Sequence, residues 1–268
     1  MSDSQLYTGF RYAGSLPSIR CQRQVQAHVL SSLAPRSILV IGCAYGDELR
    51  QLISRVDIED PRLTVTATDL CDVEAELREH QFARDLGSRL RWARINLLDS
   101  EQLPGYGHFD LVQCGFVLHD IPWELKDRAM EILAGAPHRR GHVLISEIFV
   151  VGSSGYASQV TEIYDGFLRE AHASLTSGAL EEHCWRLLVG DGQSPGLLRS
   201  KEQAVCGSRD FFETLPSLLG RAKGCSLKER RVIRNKVNDR LAVALLRSRD
   251  GFPADSCTTI IRGGTDVQ

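Results

Sequence analysis

The chain has 268 residues, 43% of them hydrophobic, and a formal charge of −2, enough for one large α/β domain or a domain with an appendage. So small a net charge gives no overall field toward polyanions and argues against a general nucleic-acid binder. Eight cysteines lie far apart with no CxxC pair, which argues against a zinc site or a disulfide framework and for a reducing compartment, with no metal expected. The N-terminal stretch "MSDSQLYTGF" lacks the make-up of a secretory signal, and no apolar run reaches membrane-spanning length, so a cytoplasmic protein is expected. Its basic residues are mostly Arg, a compositional mark of a GC-rich bacterial genome.

In chain order, an N-terminal arm carries Tyr7, Phe10 and Tyr12, aromatic residues placed to close over a ligand or to pin the arm to the surface. Residues 19–33 repeat apolar positions at helical spacing and stop at Pro35. Alternating units follow: strand 37–41, helix 46–55, strand 63–68, helix 72–86, strand 90–95, strand 109–114, helix 123–135 and strand 142–149. Near-continuous apolar strands alternating with helices predict a parallel sheet covered on both faces, and the right-handed crossover rule makes it doubly wound. Past residue 150 the alternation fails. A helix over 158–189 broken near "TSG", a helix over 208–222 and a short strand in "CTTIIRGG" are expected. Residues 227–249 read as a long helix or as two antiparallel strands. The organisation is an N-terminal arm and helix (1–36), a ligand-binding core (37–150) and a segment (151–268) that supplies a helical lid and completes the sheet.

Ligands of open parallel sheets bind beyond the carboxyl ends of the strands. The first strand ends at Ile41 and passes into Gly42-Cys43-Ala44-Tyr45-Gly46, where glycine permits positive φ and close backbone approach. The next strand ends at Asp69, at about the 20-residue interval where a carboxylate holds a ribose diol in dinucleotide folds. A third glycine would fall at Leu49, so the pattern favours an adenosine cofactor other than NAD.

The ordered stretches "ILVIGCAYG", "TATDL", "INLLDSEQLP", "FDLVQCGFVLHDIP" and "RRGHVLISEIF" resemble the motifs of class I S-adenosylmethionine-dependent methyltransferases. The resemblance covers residues 37–150 and implies a seven-stranded Rossmann-like sheet with S-adenosyl-L-methionine as cofactor. It implies that Gly42, Ala44 and Gly46 face the methionine part, that Asp69 holds the ribose, and that Asn96 and Leu97 lie against the adenine. Leu70 and Cys114 complete the candidate cofactor-binding set. Two positions depart from the family: Val40 stands where an acid is usual, and Asn96 where Asp is frequent.

"FVLHDIPWELKDRAMEIL" followed by "GHVLISEIF" is similar to small-molecule O-methyltransferases, in which the histidine deprotonates a substrate hydroxyl and a glutamate orients it. His119 and Glu147 match those positions, and Asp120 joins them as a candidate that also suits the start of a helix. The chemistry makes sense by itself: a hydroxyl is a poor nucleophile near neutral pH, and an imidazole with a carboxylate partner is a suitable base. In the lid, Tyr156, Tyr164, Phe167, Arg169, His172, His183 and Trp185 offer contacts for an organic substrate.

The leading expectation is methyl transfer to a hydroxyl, less often an amine, of a small metabolite in specialised bacterial metabolism. The alternatives are a non-methylating ring closure on the same fold, a non-catalytic subunit for a partner enzyme, and RNA methylation resting on the basic run of residues 221–249. A homodimer or a partner protein stays open; no membrane partner is expected.

Overall fold

Ile38, Leu39, Val40 and Ile41 are all apolar, yet a strand turns successive side chains to opposite faces, so both faces need cover. In the computed structural model, which describes residues 10–152, 154–190, 197, 198, 201, 203 and 211–248, these residues form β1 (Ser37–Ile41). The other strands are β2 (Thr64–Asp69), β3 (Leu90–Arg94), β4 (Phe109–Gly115), β5 (Pro137–Ile148), β6 (Leu227–Arg234) and β7 (Leu241–Ser248). They make one seven-stranded sheet in the order β3-β2-β1-β4-β5-β7-β6. β1 pairs parallel with β2 and β4, β2 with β3 and β4 with β5, whereas β7 runs antiparallel between β5 and β6. The strand order reverses at β1 and β4, which puts the crevice of a doubly wound sheet at their carboxyl ends.

The helices are α1 (Pro17–Leu33), α2 (Asp47–Ile53), α3 (Glu74–Glu79), α4 (Gln81–Leu86), α5 (Lys126–Gly135), α6 (Tyr156–Thr176), α7 (Glu182–Val189) and α8 (Leu215–Gly224). Leu39 and Ile41 pack with Met130 and Leu133 of α5 and Leu218 of α8. Ile38 and Val40 pack on the opposite face with Leu30 of α1 and Leu49 and Leu52 of α2. A third apolar cluster joins Leu16 and Ile19 to Ile163 and Phe167 of α6 and Leu188 of α7. The start of α1 therefore packs with the lid.

Several elements differ from the sequence reading. The helix expected over 72–86 is divided at His80, whose ψ of 143° is extended; the break lets the ring Nε2 reach the Tyr45 carbonyl at 2.6 Å. The helix expected from 208 begins at Leu215, behind a Thr214 side chain that accepts the Ser217 N–H. Before it the chain is extended, and Glu213 bridges Phe149. The last sheet strand of the central run is longer than expected and starts at Pro137. Of the two readings of 227–249, the antiparallel pair is observed. Buried β7 lies inside the sheet, while β6 carries exposed Lys228, Glu229 and Arg230 on its edge. Charge on an edge strand discourages further pairing, and this accounts for much of the basic run. Tyr7, Cys206, Cys257 and the strand expected in 257–264 lie outside the described residues.

A buried polar chain fixes α1 to the sheet. Gln22 Nε2 donates to Ser146 Oγ on β5 at 3.0 Å. Asn235 Nδ2, at the β6–β7 turn, donates to the Ser18 carbonyl at 2.8 Å and to Gln22 Oε1 at 3.2 Å. Asn235 Oδ1 in turn accepts the N–H groups of Val237 and Asn238. Truncating Asn235 leaves those partners unsatisfied, so Asn235→Ala should destabilise the fold by about 1–3 kcal/mol. Urea unfolding should show a lower midpoint at an unchanged slope.

Candidate active site

The site starts where β1 runs out of sheet. Gly42 adopts φ +71°, and a Cβ there would come within 2.2 Å of Val117 Cγ2, so only glycine lets the two loops approach this closely. The N–H groups of Gly42 and Cys43 both donate to the Thr68 carbonyl, at 2.9 and 3.0 Å. Ala44 is left-handed (φ 43°), and Gly46 (φ 84°) opens α2. A Cβ on Gly46 would press on Leu77 Cδ1 at 2.8 Å, so its role is to admit α3 against the loop.

Asp69 closes this loop from β2. Its Oδ2 accepts the Ala44 N–H at 2.9 Å and its Oδ1 the Cys71 N–H at 3.0 Å. Burial pushes its carboxyl above the ordinary value, with the Asp120 charge adding to the rise, against the lowering effect of the backbone N–H groups. Asn96 Oδ1 accepts the Leu98 N–H at 3.0 Å and so caps the 3-10 turn Leu97–Gln102. An amide oxygen performs that duty without charge. Val40 is buried among apolar side chains of α1 and α2, where an acid would be desolvated.

A cavity of about 380 Å³ opens at this edge, near the small end of the range for ligand sites. Gly42, Ala44, Asp69, Leu70, Asn96 and Leu97 line it, with His119 and Asp120 on its wall. Three candidates lie off its surface. Gly46 is turned to α3, Cys114 is buried in the core below β4, and Glu147 stands behind His119. Gly115 and Phe116 take the wall position next to Cys114.

His119 sits in the short turn Leu118–Asp120 after β4. Its Nδ1 is 2.7 Å from Glu147 Oε1, and its backbone N–H donates to Oε2 at 3.3 Å. Glu147, 2% exposed at the end of β5, also accepts the Ile148 N–H at 2.8 Å. Burial opposes its ionisation, but the His119 imidazole, the Ile148 N–H and the Lys126 ammonium together hold its carboxyl below the ordinary range. An ionised Glu147 only accepts, so Nδ1 carries the proton and the lone pair of the neutral ring is on Nε2. Asp120 Oδ2 lies 3.9 Å from that Nε2.

The chain around the imidazole is held by residues the sequence reading did not single out. Phe212 stacks on the ring at 5.4 Å, and the Phe211 N–H donates to the His119 carbonyl at 2.5 Å. Buried Lys126 donates to the Leu118 carbonyl at 2.6 Å and lies 3.8 Å from Glu213 Oε1. Glu213 Oε2 accepts from Ser217 and from Arg221 Nε. Lys126 sits in the quoted run after His119, but no local pattern pairs it with a residue so far along the chain.

Of the lid candidates, Tyr164 and Phe167 line the cavity, and Tyr156 Oη accepts the Phe212 N–H at 2.9 Å. Trp185 and Tyr12 pack beside the third apolar cluster. Arg169, His172 and His183 are exposed and off the cavity. Among the described residues, no group of three His, Cys, Asp or Glu is placed to hold a metal ion, and no helix is long and apolar enough to cross a membrane.

No protein-family model and no curated protein matches this sequence; solved structures do match in fold. The chain is similar to N-methyltransferase NodS from Bradyrhizobium japonicum WM9, solved with S-adenosyl-L-homocysteine, at TM-score 0.55 and 15% identity, covering 92% of this chain and 99% of that one. It is similar to mitomycin 7-O-methyltransferase MmcR at TM-score 0.54 and 13% identity, covering 90% of this chain and 60% of that one. The [4+2]-cyclase SpnF matches at TM-score 0.51 and 11% identity, covering 84% of this chain and 81% of that one. At such identities the likeness is one of architecture: the chain has the class I S-adenosylmethionine-dependent methyltransferase fold.

The state of Glu147 has a pH signature. A carboxyl whose pKa is lowered by folding contributes stability above its unfolded pKa, about 4.3 for Glu, and loses it as pH falls through the lowered folded value. Glu147→Gln should therefore flatten the acid limb of the stability profile below about pH 4.3. Thermal unfolding of both proteins across pH 2.5–7 checks this.

Proposed function

We propose that this chain is an S-adenosylmethionine-dependent methyltransferase acting on a hydroxyl group of a small metabolite. The observation that carries the reading is His119, backed by Glu147, on the wall of the cavity that Asp69 and the glycine loop also line. The residues present fit the cofactor. The Gly42–Val117 approach would be filled by any Cβ, and Asp69 keeps acceptor capacity beyond its two backbone bonds for a ribose diol. Gly42 and Ala44 would take the methionine portion, Asp69 the ribose, and Asn96, Leu97 and Leu70 the adenine. When bound, the cofactor supplies an electrophilic sulfonium methyl.

His119 Nε2 takes the proton of the substrate hydroxyl, raising its nucleophilicity. Glu147 holds the imidazole in the required tautomer and stabilises the imidazolium that results. Phe212 and the hydrogen-bonded carbonyls of Leu118 and His119 restrict the ring, so that little reorientation precedes proton transfer. Phe167, Ile148 and Tyr164 give the wall an apolar character suited to an organic acceptor and to excluding water. The basic run lies at the far edge of the sheet on β6, which favours a metabolite over RNA. The similarity to a mitomycin methyltransferase supports natural-product biosynthesis as the setting, and the cytoplasm is proposed as the compartment from the widely spaced cysteines of the sequence.

A second reading, ring closure without methyl transfer, draws support from the similarity to a [4+2]-cyclase. The base serves both readings, but the cofactor is consumed in only one.

Asp69→Ala should weaken binding of S-adenosylmethionine or its demethylated product by about 1.5–3 kcal/mol, read by calorimetric titration. Wild-type protein that shows no heat and no thermal shift with millimolar ligand would end the cofactor reading.

His119→Ala should lower kcat by about 10²–10⁴ at nearly unchanged cofactor affinity. With isotope in the cofactor methyl, labelled product is expected. Unlabelled product formed at full rate without added cofactor would transfer the case to ring closure.

A further inference from the structure

The glycine loop carries an uncommon backbone onto the cavity wall. Ala44 is left-handed without being glycine (φ 43°), Gly46 follows at φ 84°, and Cys43, Ala44 and Tyr45 all line the cavity. Left-handed residues persist only where their surroundings hold them. From β2, the Thr68 carbonyl holds the N–H groups of Gly42 and Cys43, and Asp69 holds that of Ala44. The peptide joining Tyr45 to Gly46 is held at both ends. Its N–H donates to the Cys43 carbonyl at 2.9 Å, and its carbonyl lies 2.6 Å from His80 Nε2. A carbonyl only accepts, so Nε2 carries the hydrogen of this bond. The same ring edge abuts the next residue: a Cβ on Gly46 would lie 3.0 Å from His80 Cδ2. Phe82 stacks on the imidazole at 5.2 Å and 21°, and the extended backbone that divides α3 from α4 sets His80 in this place.

We propose that His80 is a positioning residue of the binding site: by donating to the Tyr45 carbonyl it locks the Tyr45–Gly46 peptide, and with it the wall that the glycine loop presents to a bound nucleoside. The inference rests on the cofactor reading above. His80 is not itself on the cavity wall and acts through the loop. Glycine at 46 leaves this peptide free to turn over, which would exchange the directions of its carbonyl and N–H. A loop that spends part of its time turned over binds ligand more weakly in proportion to the competent fraction. The hydrogen bond from His80 keeps that fraction high before any ligand arrives.

The test uses the full chain and two readouts. Hydrogen exchange of the Gly46 amide, followed by NMR on unliganded protein, reports the peptide itself. Calorimetric titration with S-adenosylhomocysteine reports the site. His80→Phe keeps an aromatic ring for Phe82 but has no donor, His80→Ala removes both, and His80→Gln keeps an N–H donor. Exchange at Gly46 should quicken in His80→Phe and His80→Ala, and both should bind S-adenosylhomocysteine about 5- to 20-fold more weakly. His80→Gln should recover most of both losses. Gly46 exchange at the wild-type rate in His80→Phe overturns the proposal, as does faster exchange with unchanged affinity, or a loss in His80→Gln as large as in His80→Ala. If wild-type protein binds no S-adenosylhomocysteine, the cofactor reading fails by itself, and Gly46 exchange in His80→Phe against wild type decides for His80. Melting curves of each variant confirm a folded chain.

Discussion

A carboxylate as buried as that of Glu147 cannot stand alone, and much of the site's arrangement follows from that constraint. Its charge is met by the His119 ring, two backbone N–H groups and the nearby field of Lys126. Lys126 is itself buried and needs Glu213, and Glu213 in turn is shared with Arg221 and Ser217. The chain of compensation runs from the end of β5 through α5 to α8. It brings residues 211–213 over His119 and delivers the Phe212 ring to the imidazole. Each member is costly to bury alone and tolerable only in company.

Two acids at neighbouring strand ends are handled in opposite ways. Glu147 is surrounded by cationic and N–H partners and is kept ionised. Asp69 meets backbone N–H groups only, and burial wins. The first arrangement suits an orienting partner for a base. The second suits a site that gains when further donors, such as ribose hydroxyls, arrive. Both Asp69 and His119 line the same cavity.

The solved structures similar in fold include methyltransferases and a [4+2]-cyclase. On the proposed reading, a base at His119, an orienting acid at Glu147 and the apolar wall need no particular electrophile, and the occupant of the glycine-loop end would decide the reaction. The two departures from the family pattern lose weight once their surroundings are seen. Val40 faces the helices away from the cavity, and Asn96 uses its oxygen as a cap.

Periodicity and motif order carried much of this protein. The strand runs are short, apolar and separated by helical spacing, and sheet membership of that kind depends on local pattern and on the need to cover both faces. Gly42, Asp69, His119 and Glu147 were legible because each sits at a strand end, where the chain direction itself points residues to one edge. Other features were decided by distance in sequence. The split at His80 depends on a contact with Tyr45, and the hairpin of 227–248 on β7 finding β5 as a partner. Lys126 pairs with Glu213 across most of an intervening lid, and a buried Gln22–Asn235–Ser146 chain helps hold α1, whose Arg23 lines the cavity, in place. Such residues look like ordinary helix positions in sequence. Burial and pairing give them their roles, and both are properties of the packed chain.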